Sequence, residues 1–127
     1  MEIRSREPVI LAARFDDLVA WYRSALGFAV VRQFEEDFHY CLLEAPSGFR
    51  VAIADAQEMG VEPRARNRNT VVLQFEVDDL PAFFAELEGA GARISGGPSH
   101  DERAGFWFGS FEDPEGNPFW VVDKNCP

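Results

Sequence analysis

The chain has 127 residues, 46% of them apolar and 27% charged, with a formal net charge of −10. That length fits one domain, or one built from two halves, and it can bury about two thirds of its unfolded surface without staples. The acidic balance argues against nucleic acid, whose phosphates call for a basic face, and no apolar run approaches the roughly 18 residues of a membrane helix.

The first segment, MEIRSREPVI, lacks the apolar core of a secretory signal. VILAARF (9–15) then reads as a strand. Leu18, Trp21, Tyr22, Ala25 and Leu26 mark one face of a helix that Asp16 or Asp17 can cap and Gly27 can stop. FAVVRQF (28–34), FHYCLLE (38–44) and FRVAIAD (49–55) read as three strands, the last two joined by the turn APSG. AQEMGVEPRARNRN (56–69) is a linker, and its basic island of Arg64, Arg66 and Arg68 reads as solvated charge rather than an anion site or a contact to an acidic subunit.

TVVLQFEV (70–77) is the next strand. Leu80, Phe83, Phe84 and Leu87 follow on one helical face, with Asp79 as cap, Pro81 in the first turn, and Gly89 or Gly91 at the end. ARIS (92–95), GFWFGSF (105–111) and PFWVVD (118–123) read as strands; SGGPSHDERAG (95–105) reads as a surface loop and DPEG as a turn. Cys41 and Cys126 make no disulfide or zinc pattern, which suits reduced thiols in the cytoplasm.

The order strand, helix, three strands occurs twice, and the residues repeat with it. Asp17, Leu18, Trp21 and Tyr22 match Asp79, Leu80, Phe83 and Phe84, each 62 residues on. Glu44, Pro46, Gly48 and Asp55 match Glu112, Pro114, Gly116 and Asp123, each 68 residues on. The sequence therefore predicts a single α+β domain over 1–127, made of two tandem βαβββ modules, 8–55 and 70–124, joined by the linker 56–69. The second copy carries six more residues than the first, the difference of the two offsets, placed in the loop 95–105.

Asp17-Leu18, Trp21-Tyr22 and Leu26-Gly27-Phe28, with Asp113-Pro114-Glu115-Gly116-Asn117 before the last strand, resemble the vicinal oxygen chelate superfamily. This is the glyoxalase/bleomycin resistance/dioxygenase group. The resemblance implies a curved mixed sheet around a cavity and a homodimer. In metal-using members it implies one divalent ion held by a ligand from the first and the last strand of each module. Counting from the motifs puts those ligands at Ile10, Ala52, Val72 and Trp120. None offers a lone pair to a divalent ion, so neither a metal nor another cofactor is expected.

Strand alternation adds Arg14 beside Ile10, and Gln74 and Glu76 beside Val72. Of Phe106-Trp107-Phe108 one parity can face the cavity, either Trp107 alone or Phe106 with Phe108; Trp107 is carried as the candidate wall residue. The expected site is thus Ile10, Arg14, Ala52, Val72, Gln74, Glu76, Trp107 and Trp120, and the expected ligand a small aromatic or cationic molecule. Whether a reaction occurs stays open: a lyase, isomerase or dioxygenase with a relocated metal site at His39, His100 or Glu76, or a metal-free acid–base enzyme using Glu76, is the alternative. Ser99-His100-Asp101 is no triad, because sequence neighbours cannot converge as nucleophile, base and orienter.

Overall fold

A computed structural model of the chain describes residues 1–63 and 71–127. Arg64, Arg66 and Arg68, and the first residue of the strand expected at 70–77, lie outside the described residues. The chain divides into two compact units, the first ending at Pro63.

The first unit runs β1 (Val9–Ala12), α1 (Phe15–Leu26), β2 (Ala29–Phe34), β3 (Tyr40–Glu44) and β4 (Arg50–Asp55). The second runs β5 (Leu73–Val77), α2 (Leu80–Gly89), β6 (Arg93–Asp101), β7 (Phe106–Glu112) and β8 (Pro118–Asp123). Each unit holds one four-stranded mixed sheet, ordered β1-β4-β3-β2 and β5-β8-β7-β6. The first strand of each lies parallel to the last and the other pairings are antiparallel. The expected α+β architecture of two βαβββ modules is the one observed.

The helices follow their apolar stripes. Leu18, Val19 and Tyr22 bury one side of α1; Leu80, Phe84 and Leu87 bury one side of α2. Gly27 takes φ 72° and closes α1, which only a residue without Cβ does at little cost. In the second unit Phe111 stacks on Phe119 at 5.0 Å, with Phe75 and Phe83 edge-on to them. In the first, Tyr22, Phe28 and Phe49 form a chain of edge-to-face contacts.

The two helices start differently, and this changes the strand before them. Asp79 caps α2, its carboxylate accepting the Ala82 N–H at 3.0 Å. Its sequence match Asp17 does not cap α1: that helix begins at Phe15, Arg14 stands at the N-cap position, where its side chain makes no capping bond, and Asp16 and Asp17 fall in the first turn. There they face the positive end of the helix dipole. The earlier start displaces β1 by three residues. Val9 lies beside Ala52, whereas in the second unit it is Gln74 that lies beside Trp120. An odd displacement exchanges the two faces of a strand.

A second departure concerns 95–105. Most of the expected loop is strand, since β6 continues through Gly96, Gly97 and Pro98 to Asp101. The β6–β7 ladder is longer than its β2–β3 counterpart, with strands of 9 and 7 residues against 6 and 5, and its register shifts by one residue between Ile94 and Gly96 and again between Gly96 and Ser99.

Candidate functional site

In the second unit the side facing α2 is fixed by Phe83, whose ring meets Phe75 and Phe111. Alternation then puts the neighbours of those residues on the other side. Two rows cross it. One joins Gln74, Trp120, Ser110 and Gly96; the other joins Glu76, Val122, Phe108 and Ser99. Trp120 is 55% exposed and Phe108 41%, an uncommon state for large aromatic side chains in the interior of a sheet. Next to the indole the surface is low: Ser110 bonds Ser95 at 2.9 Å, and Gly96 has no side chain. Gln74 and Glu76 are exposed on the adjoining strand.

Of the eight expected site residues, Gln74, Glu76 and Trp120 share this face. Val72 lies just before β5 and is half-buried. Trp107 is placed on the other side, with Gly109 and Phe111, and its ring meets His100 at 4.9 Å. The alternative parity is the one that shares the Trp120 face, bringing Phe106 and Phe108 together at 5.9 Å.

In the first unit the ring of His39 meets Phe15 of α1, so Cys41, Leu43, Val51 and Ile53 face the helix. Ala52 lies on the opposite side, between Val9 and Leu42, and is itself buried. The displaced strand turns Ile10 away from it. Ile10 pairs with Ile53 and packs toward the helix, and Arg14 has left the strand for the cap of α1. Neither Ile10 nor Arg14 shares a face with Ala52, and their expected places are taken by Val9 and Leu11.

The row beyond Ala52 runs Leu11, Ala54, Tyr40 and Phe34, and Phe38 joins its aromatic end at 6.0 and 6.4 Å. Tyr40 donates its hydroxyl to Glu7 at 2.9 Å. The backbone N–H of Glu7 and the Tyr40 hydroxyl hold the Glu7 carboxyl below its ordinary range. Burial, and then that carboxylate, push the Tyr40 hydroxyl up. The sequence reading missed this pair because Glu7 precedes the strand, where alternation gives no signal; Tyr40, on a predicted strand, was the legible half.

The resemblance calls for four metal ligands, and the residues present do not fit an ion. Ile10, Ala52 and Val72 carry no donor atom, and the indole of Trp120 donates only. Reassigning β1 does not restore a ligand beside Ala52, since Val9 and Leu11 are apolar as well. Elsewhere the histidines are engaged at Nδ1, His39 by Glu58 and His100 by Glu102. Among the described residues no three of His, Cys, Asp and Glu form a group able to hold a metal ion.

No curated protein sequence matches the chain. Solved structures do. A member of the glyoxalase/bleomycin resistance protein/dioxygenase superfamily from Sphaerobacter thermophilus is 20% identical, with a TM-score of 0.76, covering 96% of this chain and 98% of its own. A glyoxalase-related enzyme from Fulvimarina pelagi is 17% identical, with a TM-score of 0.72, covering 96% and 89%. A protein of unknown function from Agrobacterium tumefaciens is 19% identical, with a TM-score of 0.78, covering 98% and 96%. At these identities the likeness is one of fold. The model of the glyoxalase-like domain matches residues 8–122, and the chain belongs to that family.

Proposed function

We propose that the protein binds a small, partly aromatic molecule without a metal ion, on the face that carries Trp120. The observation behind this reading is the indole itself: more than half exposed in the interior of β8, between Gln74 and Ser110, at the position the resemblance gives to a metal ligand. Exposing a Trp in a sheet forgoes the burial that usually stabilises one, by about 2 kcal/mol, so a flat partner is the natural occupant. Gln74 and Glu76 supply acceptors beside it, and the charge of −10 favours a cation. The fold hosts both enzymes and binders, so the case for a function rests on the site and not on the fold. Sequestration of a drug or metabolite is the form this binding takes in our reading, by a cytoplasmic homodimer whose cysteines are free.

The test is a thermal-shift screen of aromatic and cationic compounds on wild type and Trp120→Ala, with elemental analysis of protein purified without chelator. Compounds should raise the wild-type melting temperature with no metal present. Their affinity should fall at least about tenfold in the variant, as loss of an aromatic contact of 1–2 kcal/mol implies. Unfolding of the ligand-free variant should cost no more than about 1–2 kcal/mol, because nearly half of the indole is buried. Stoichiometric iron, manganese, nickel or zinc, with loss of stability on chelation, would replace this reading with an enzyme that has relocated its ligands.

A further inference from the structure

The two units serve as internal controls for one another, and one side-chain cluster belongs to the first alone. After β4 the chain makes a tight turn. Asp55 accepts the N–H of Gln57 at 2.9 Å and of Glu58 at 3.3 Å, and Val61 donates to the Ala56 carbonyl at 2.9 Å. The second unit repeats this at Asp123, which accepts the Asn125 N–H at 3.0 Å. Only the first turn carries a glutamate that reaches back. Glu58 takes the His39 backbone N–H at 2.7 Å through one oxygen and the imidazole Nδ1 at 2.5 Å through the other. The position that His39 holds just before β3 is filled in the second unit by Trp107, which lies within β7.

We infer that His39 and Glu58 form a pH-operated clasp, which pins the turn after β4 to the start of β3 while the imidazole is protonated and loosens it when the proton is lost. Both oxygens of one carboxylate are used, and they bridge 19 residues of sequence. The groups around the imidazole favour the cation. Glu58 lies on the turn, Asp16 on α1 and Glu35 on the β2–β3 connection, all acidic, and the Phe15 ring of α1 packs edge-on at 5.4 Å. The Glu58 hydrogen bond raises the His39 pKa above its ordinary 6.5. The His39 backbone N–H, then its ring, lowers that of Glu58 below 4.5.

The signs follow from these directions. A raised imidazole gives a contribution that is complete below the ordinary histidine value and lost as pH rises through the folded one. A lowered carboxyl gives one that is complete above the ordinary carboxylate value and lost as pH falls through the folded one. The clasp is therefore tightest between 4.5 and 6.5 and slackens toward alkaline pH. The turn it releases carries Met59 and Val61, both 44% exposed, and is where the chain leaves the first unit.

NMR of the full chain tests this. The His39 ring should titrate above 6.5. Protection of the His39 and Glu58 amides, corrected for intrinsic exchange, should drop at least about threefold across the same midpoint, while β3 and β4 amides hold. In Glu58→Gln the ring should titrate at or below 6.5 and the protection should lose its pH dependence. His39→Asn, which removes the titrating group, should flatten the dependence in the same way. A wild-type midpoint at or below 6.5, or amide protection equal on both sides of it, would overturn the proposal.

Discussion

Gly109 shows how far one missing side chain shapes the second unit. It sits in β7 between Phe108 and Ser110 on the α2 side of the sheet, and a Cβ placed there would fall 2.7 Å from Cε2 of the Phe84 ring. Phe84 is itself buried and cannot swing away without opening the packing of α2 on β7. Gly109→Ala should therefore destabilise the protein by about 1–3 kcal/mol, as overpacking does, measured as a shift of the urea midpoint at unchanged slope. A neutral result would mean that α2 can move off the sheet. Phe84 has an open seat because its neighbour has no side chain, so one glycine decides how closely α2 approaches.

At the scale of elements, the hairpin turn before the last strand is built twice with different chemistry. Both copies close with the same backbone bonds: Ala45 and Phe49 in the first, Asp113 and Asn117 in the second, with a left-handed glycine in each at φ 96° and 85°. The second adds a buried carboxylate. Asp113 accepts the N–H of Glu115 and Asn117, each at 2.9 Å, and the Asn117 side-chain amide at 2.6 Å. The first copy shows that the turn forms without it. Asp113→Ala should keep the fold and cost about 2–4 kcal/mol, the range for losing several bonds to one buried charge, read by calorimetry. Loss of folding would show that the carboxylate specifies the turn instead of strengthening it.

These turns were legible in the sequence because their signals are local. APSG and DPEG carry their own geometry, and the helical faces carry theirs. The start of α1 was not legible. Asp17 and Asp79 match in sequence, yet one lies inside a helix and the other caps one, because tertiary packing of Phe15 extends α1 by most of a turn. That local change reverses β1 and moves Ile10 and Arg14 off the expected face, while Gln74, Glu76 and Trp120, on strands with no such shift, stay together. The Phe106-Trp107-Phe108 run kept its ambiguity because parity needs an anchor outside the strand, here the Phe83–Phe111 contact.

For the whole molecule the dominant quantity is charge. Lys and Arg number 12 against 22 Asp and Glu. The ion pairs Arg4–Glu2, Arg50–Glu44 and Arg93–Glu112 lie at the surface, each with an exposed arginine, and are worth little each, so at neutral pH the net repulsion is not offset by them. Two copies forming the proposed homodimer would add their charges of like sign. The apolar side of the balance is visible in the first unit, where edge strand β2 leaves Val30, Val31 and Phe34 exposed. Salt screens the repulsion over a Debye length of about 10 Å at 0.1 M and leaves apolar burial untouched. The dimer should therefore tighten with salt. Light scattering at pH 7.5 should give a mass near twice the 14.3 kDa chain, and on dilution the midpoint of dissociation should move to lower protein concentration, by at least about threefold, between roughly 20 and 200 mM salt. Weakening by salt would mean that opposite charges meet across the interface, and a mass of one chain at all concentrations would remove the homodimer from the proposed function.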